Sequence, residues 1–271
     1  MDREQPNAKV NKEDNRRIPL PTFSRRGYRD LLATFSSAGY SFVGFDDVQS
    51  RSKHVIVRHD VDVSLEAAVR LAEIESLMGV RATYFVLVSS TFYNVFSRRG
   101  RDLLRCLVNC GHSVGLHFDV DSTPHSTIGG NVLTRCQQAI FRESDLLATI
   151  VGSPVDIVSF HKPIPEIINH EHPMGGRPHA YEPRFFSEIG YISDSKGAWR
   201  FGSPFDHPAF VKGEAMQLLT HPIWWDRDEP LDPPSALKVF VESYIANFET
   251  ELAQNCEPYK AVLTERAASK L

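Results

Sequence analysis

HVIVRHDVD, residues 54–62, sets the pattern from which the fold follows. Its first half is β-branched and apolar, as in a strand buried on both faces, and its second half turns abruptly ionisable. Side chains alternate along a strand, so Asp60 and Asp62 fall on the same side. Two like charges that close are unfavourable unless a cation or a shared proton relieves them. The plainer alternative gives one carboxylate to the start of the following helix and the other to Arg58 or water. Ser64 is placed to cap that helix, Leu65, Ala68, Val69 and Ala72 share one of its faces, and Gly79 ends it.

Outward from this unit the same rhythm repeats. A helix near 25–38 and a strand at 41–45 precede it. Strand 82–88, helix 98–110, strand 112–118, helix 131–149 and strand 155–160 follow. Strands alternating with helices predict an α/β domain with parallel strands, running from Pro19 to the end at residue 271. Residues 1–18 are charged, amide-rich and nearly free of aliphatics, and a disordered polar tail is expected there. The segment 161–190 is too long for an ordinary connection and reads as a functional loop, with short strands at 191–195 and 216–221 beyond it. In the last helix, 235–253, Leu237, Phe240, Val241, Tyr244, Ile245, Phe248 and Leu252 form a stripe expected to pack on the domain.

Composition narrows the partners. The formal charge is −4 with both signs interspersed, so no footprint for nucleic acid or an anionic membrane stands out, and a small-molecule or glycan substrate is expected. No apolar run approaches the roughly 20 residues of a membrane helix, and the N-terminus is too polar for a secretory signal, which points to the cytoplasm. Cys106 and Cys110, four apart on one helix face, read as buried reduced thiols, a zinc-thiolate pair being the alternative; no disulfide framework is implied.

The chemistry-bearing residues gather at the C-terminal ends of the strands, where α/β folds build sites: Asp60, Asp62, His117, Asp119, His161, Asp194 and His221. His112 and His117 lie on opposite faces of their strand, so only one of them enters the site. In the order of these pieces the chain resembles the polysaccharide deacetylase family, the NodB-like carbohydrate esterases, over about residues 54–222. His59-Asp60-Val61-Asp62 is similar to the family's first motif and Gly111-His112-Ser113-Val114-Gly115-Leu116-His117 to its second. Phe160-His161-Lys162-Pro163 is similar in place to the third, Asp194 to the aspartate of the fourth, and Leu219-Thr220-His221 to the fifth.

The resemblance implies a single distorted (β/α) barrel of about seven parallel strands with extra N- and C-terminal helices. It also implies a divalent metal, zinc by type, and hydrolysis of an N-acyl group from an amino sugar. By the family pattern Asp60 is the base, Asp62 and His117 are metal ligands, and His221 is the general acid, with Asp194 among the catalytic set. Val61 separates aspartates that are adjacent in the family, so Asp60 and Asp62 compete for the ligand role. Asp121 stands where the family has its second histidine ligand, and His161 is the alternative. The family's third-motif arginine is absent, leaving Arg58 or Arg200 to hold the base. Trp199 and Trp224, with Trp225, are candidates for stacking on a sugar, or are core and rim aromatics. His170, His172 and His179 read as solvated loop residues. Two further readings stay open: a metal-independent amidase acting on a non-sugar amide, and a carbohydrate-binding relative without catalysis.

Overall fold

In the computed structural model, which describes residues 18–122 and 132–268, every strand pairing in the sheet is parallel. The strands are β1 (Ser41–Phe42), β2 (His54–Val61), β3 (Ala82–Val86), β4 (Ser113–Asp119), β5 (Val158–His161), β6 (Gly190–Ser193) and β7 (Met216–Thr220). The main helices are α1 (Arg25–Ser37), α2 (Leu65–Leu77), α3 (Arg98–Asn109) and α4 (Val132–Val151). Short α5 (Pro183–Phe186), α6 (Pro208–Lys212) and α7 (Pro222–Trp225) are followed by α8 (Pro233–Asn255) and α9 (Glu257–Ala268). The polar stretch 1–18 lies outside the described residues apart from Ile18.

Strand order is β5-β4-β3-β2-β7-β6, with β1 also paired to β2. Neighbouring strands lie about 4.8 Å apart, so in a flat sheet β2 and β5 would be about 14 Å apart. Instead Asp62, just past β2, brings Oδ1 to 3.3 Å from Nδ1 of His161 on β5. The sheet is therefore curled into a half-barrel, and side chains of its concave face reach across the hollow. No strand joins β5 to β6 among the described residues. Residues 178–181 lie in that gap: Val158 N donates to Pro178 O, Ala180 N donates to Val158 O, and Gln217 of β7 donates to Ala180 O. The long loop after β5 thus supplies a strap along the open side.

Two apolar clusters follow from this curvature. The larger lies between the convex face and the helices; the smaller, built on Phe45, Ile56, Phe85, Ile157, Phe185 and Ile189, plugs the hollow below the polar residues of β2. The helix starts obey local chemistry. Ser64 accepts from Ala67 N at 3.1 Å and Ser97 from Gly100 N at 3.0 Å, and α2 ends at Gly79, whose φ of +68° suits glycine. Leu65, Ala68, Val69 and Ala72 are buried as their spacing predicts, each such side chain larger than alanine contributing about 1.5–3 kcal/mol.

Two sequence expectations are corrected here. Most of the stripe on α8 does not pack on the core: Leu237, Val241, Tyr244, Ile245 and Phe248 are exposed, Phe240 meets Phe92 of the loop after β3, and only Ala236 of that helix is buried. Periodicity shows that a helix has an apolar face but not what that face meets. None of the four cysteines is in a disulfide, yet Cys106 and Cys256 are exposed, Cys110 is partly covered and only Cys136 is buried. The inner face of α3 belongs to Leu104 and Leu107, and Cys106 falls off it. Among the described residues no helix is long and apolar enough to cross a membrane.

Candidate metal centre

Alternation along β2 sends Arg58 and Asp60 into the hollow, with Asp62 next above them. At the base sits Arg58, fully buried, gripping Asp60 through two bonds: Nε to Oδ1 at 2.9 Å and Nη2 to Oδ2 at 2.8 Å. The same guanidinium donates to Gln217 Oε1 at 3.0 Å, to Tyr181 Oη at 3.0 Å and to Ser159 Oγ, and lies over the rings of Phe85 and Tyr181. Such a site suits arginine, whose planar fork can bond and stack at once. Burial pushes the Asp60 carboxyl up, but the Arg58 charge outweighs it and the carboxyl is held below its ordinary value.

One layer higher, Asp62 faces two imidazoles. Its Oδ1 is 3.2 Å from His117 Nε2 and 3.3 Å from His161 Nδ1, and this buried oxygen makes no well-formed hydrogen bond. Among the described residues Asp62, His117 and His161 are the one group of three whose donor atoms, all within 4.8 Å of one another, could hold a metal ion. Ligands about 2.0 Å from a shared tetrahedral zinc lie about 3.3 Å apart, so the two carboxylate–imidazole spacings fit. Ser159 Oγ accepts from Arg58, lies 3.4 Å from Asp60 Oδ1 as donor, and meets His117 Nδ1 at 3.1 Å. Its one proton directed at the carboxylate leaves Nδ1–H to donate, which assigns His117 the tautomer with a free Nε2 facing Asp62. Burial raises the Asp62 carboxyl, but the facing imidazoles prevail and hold it well below the carboxylate range.

His221 follows β7 on the same rim, its Nε2 3.8 Å from Asp62 Oδ2. Its Nδ1 meets Asp194 Oδ1 at 2.6 Å, and Asp194, fully buried, also accepts from the His221 backbone N and, at 2.7 Å, from Trp225 Nε1. Burial lowers the imidazole's proton affinity, but the charge and bond of Asp194 dominate and bring it up to about 9.

The structure therefore brings Asp60, Asp62, His117, His161, Asp194 and His221 together. Asp121 is exposed in the turn after β4, where its N donates to Asp119 Oδ1 at 3.1 Å, and is not part of the donor group. Of the two arginines, Arg58 holds Asp60; Arg200 is exposed, with no side-chain hydrogen bond or ion pair among the described residues. Trp199 stacks on Phe23 and lies tilted against Trp225, and Trp224 follows His221 with its ring near Gly197; both are partly buried and pack against the larger apolar cluster. Sequence reasoning missed Ser159, Tyr181 and Gln217. Ser159 had a signal, since it precedes His161 by two on one strand and so shares its face. His179 is buried rather than solvated, and burial lowers its imidazole to about 4.

His112 takes the opposite face, as alternation requires, with Nε2 3.0 Å from Ala72 O and Nδ1 accepting from Ala82 N. There a second polar cluster centres on Glu75 of α2, which is fully buried. Its Oε1 meets His59 Nε2 at 2.7 Å and Tyr28 Oη, its Oε2 accepts from Tyr84 Oη at 2.5 Å, and His59 Nδ1 meets Thr220 Oγ1 at 2.8 Å.

No family model matches the chain, and no curated protein does. Among solved structures it is similar to a CE4 family pseudoenzyme from Bacillus anthracis at 13% identity and TM-score 0.39, over 73% of this chain and 63% of that one. A family 4 acetyl xylan esterase from Clostridium thermocellum in complex with a cobalt ion aligns at 16% identity and TM-score 0.37, over 71% and 84%. A peptidoglycan deacetylase from Bacillus subtilis aligns at 14% identity and TM-score 0.40, over 82% and 96%. The chain thus spans under two thirds of the length of the Bacillus anthracis protein. Likenesses this distant do not carry function, which rests on the side chains themselves.

Proposed function

We propose that the protein is a metal-dependent hydrolase that removes an N-acyl group, an acetyl group by preference, from an amino sugar or sugar conjugate. The observation that carries the reading is the unpartnered, buried Oδ1 of Asp62 between His117 and His161, with donor spacings that suit zinc. These three residues would hold the ion, and when bound a divalent cation polarises a carbonyl and acidifies water. Asp60, kept ionised by Arg58, is the base that takes the proton of the attacking water. His221, held protonated by Asp194, gives a proton to the departing amine nitrogen. Water thus adds its oxygen to the acyl carbon and its hydrogen to nitrogen, leaving a carboxylic acid and a free amino sugar. The sugar assignment is supported by the resemblance of the five motifs.

The test is metal content together with acetate release from a panel of N-acetylated oligosaccharides and sugar nucleotides. The purified chain is expected to carry one zinc per molecule and to release acetate. His117→Ala and His161→Ala are expected to lose the metal and Asp121→Ala to keep it. Retention of zinc and ordinary activity in both His161→Ala and Asp121→Ala would overturn the metal assignment.

A further inference from the structure

Helix α8 runs for 23 residues and buries only Ala236, although packing of an apolar face is what normally holds a helix in a protein. Two neighbours meet its flanks. Phe240 lies edge-on to Phe92 of the loop after β3 at 6.2 Å, and Glu249 accepts from Tyr259 Oη and Arg266 Nη1 of α9. At about 100° per residue these two positions stand on opposite sides of the helix. Between them runs an open face: Leu237, Val241, Tyr244, Ile245 and Phe248 are 40–57% exposed, and Leu252, partly buried, continues the row. We propose that this face is the contact between two copies of the chain, with α8 packed antiparallel on α8 about a two-fold axis. The proposal is independent of the hydrolase reading.

The first support is the spacing of the row, which is the same from either end. Tyr244 and Ile245 flank its midpoint, Val241 and Phe248 are equally far from it, and so are Leu237 and Leu252. In an isologous contact position i meets j and j meets i. With the axis at that midpoint, antiparallel helices set Val241 level with Phe248 and Leu237 level with Leu252, so every member of the row has an apolar side chain opposite. The mirrored pair off the row, Phe240 and Glu249, is already engaged within the chain. The six residues fall within about 100° of the helix surface, the width of one packing face.

Area is the second support. Large apolar side chains bury roughly 150–250 Å² each when fully covered, so the five half-exposed ones, with Phe92 beside them, offer about 500 Å². Such a face, making up about 65% of an interface, implies about 800 Å² per copy, the standard size for a specific dimer.

The third support is what else is at hand to cover the row. Residues 1–17, 123–131 and 269–271, outside the described residues, hold only Met1, Val10, Ile128 and Leu271 as large apolar side chains. An anionic lipid surface would be met by a polar face rich in lysine and arginine, whereas α8 carries Glu242, Glu249 and Glu251 against the single Lys238. Neither a bilayer nor an unrelated groove requires a row that is symmetric about its own midpoint.

The experiment is sedimentation velocity of the full chain between about 1 and 200 μM, the weak end of the affinity range for an interface of this size. Wild type is expected to pass from one to two chains per particle within that range. Ile245→Glu puts a carboxylate into the contact twice, once from each copy, and should weaken association by about 100-fold or more while leaving helix content and melting as in wild type. Thr250→Glu, on the opposite side of α8, should associate like wild type. Register is read separately by disulfide trapping in a chain whose exposed Cys106 and Cys256 are replaced by serine. Val241→Cys mixed with Phe248→Cys should cross-link under mild oxidation, and neither should cross-link alone. Self-linking of Val241→Cys without the mixed product would overturn the antiparallel arrangement. Wild type that stays a monomer at the highest concentration, or Ile245→Glu that dimerises as wild type does, would overturn the interface, and a monomer that co-sediments with phosphatidylglycerol vesicles would give the face to a lipid surface instead.

Discussion

Alternate residues of β2 enter two different polar clusters. Arg58 and Asp60, with Asp62 beyond them, face the hollow; His59 faces α2 and meets Glu75. Both clusters hold buried carboxylates, histidines and tyrosines, and in both a carboxyl is held below its ordinary value against the pull of burial. They differ in completeness. Both oxygens of Glu75 are bonded, both nitrogens of His59 have partners, and Glu75 and His59 are sealed from water. On the inner face Asp62 Oδ1 has no hydrogen bond, and Asp62, His161 and His221 remain partly open to solvent. Burial and ionisable groups are common to both faces; an unbonded buried oxygen among side chains partly open to solvent marks the one poised for a ligand.

Substitutions on the two sides should therefore separate chemistry from stability. The largest effect is expected from His221→Ala, in which turnover falls about 10²–10⁴-fold while metal content stays that of wild type. Loss of zinc in this variant would place His221 among the ligands and blur the division of roles. On the outer face Glu75→Gln should cost about 3 kcal/mol of unfolding free energy, the low end for breaking a buried pair, with turnover per folded molecule within about 2-fold. Its pH dependence sharpens the contrast. Burial raises the Glu75 carboxyl, but the His59 charge outweighs it and the folded value lies below the unfolded one. The stability it contributes is present at neutral pH and is lost as pH falls through that depressed value. Urea unfolding of wild type should weaken on acidification, and Glu75→Gln should give a flatter curve. Equal slopes would show that Glu75 is not a source of acid sensitivity.

The parity of β2 and β4 was legible in the sequence, because a strand shows only two faces: Asp60 with Asp62, and His112 apart from His117, follow from counting. The partners of Arg58 were not. Ser159, Tyr181 and Gln217 lie about 100 residues or more along the chain, and only curvature of the sheet brings them to one guanidinium. Glu75 was illegible for a different reason. In a helix a glutamate ordinarily faces water, and its burial depends on His59, Tyr28 and Tyr84 arriving from three other elements. The stripe of α8 shows the converse error: the pattern was present, but its partner was a rim loop and solvent rather than the core.

The smallest effect is expected within the inner cluster, at the pair that holds the acid. Burial alone lowers a histidine, yet His221 stands at about 9 because Asp194 accepts from Nδ1 and supplies a full negative charge. An imidazolium serves as acid only while protonated, so this contribution is present below pH 9 and fades as pH rises through that value. Asp194→Asn keeps the shape and removes the charge, and the imidazole should drop to its ordinary value of about 6.5 or below. At pH 7.5 about a tenth of the molecules would then carry the proton, so kcat/KM should fall about 10-fold there while the alkaline limb moves toward neutrality. The same shift is checked without turnover by following the His221 ring protons by NMR in the metal-free protein. If the limb and the ring titration stay where wild type has them, Asp194 is not what holds the proton, and the inner face would owe its acid to Asp62 and Asp60, the remaining carboxylates that raise this imidazole.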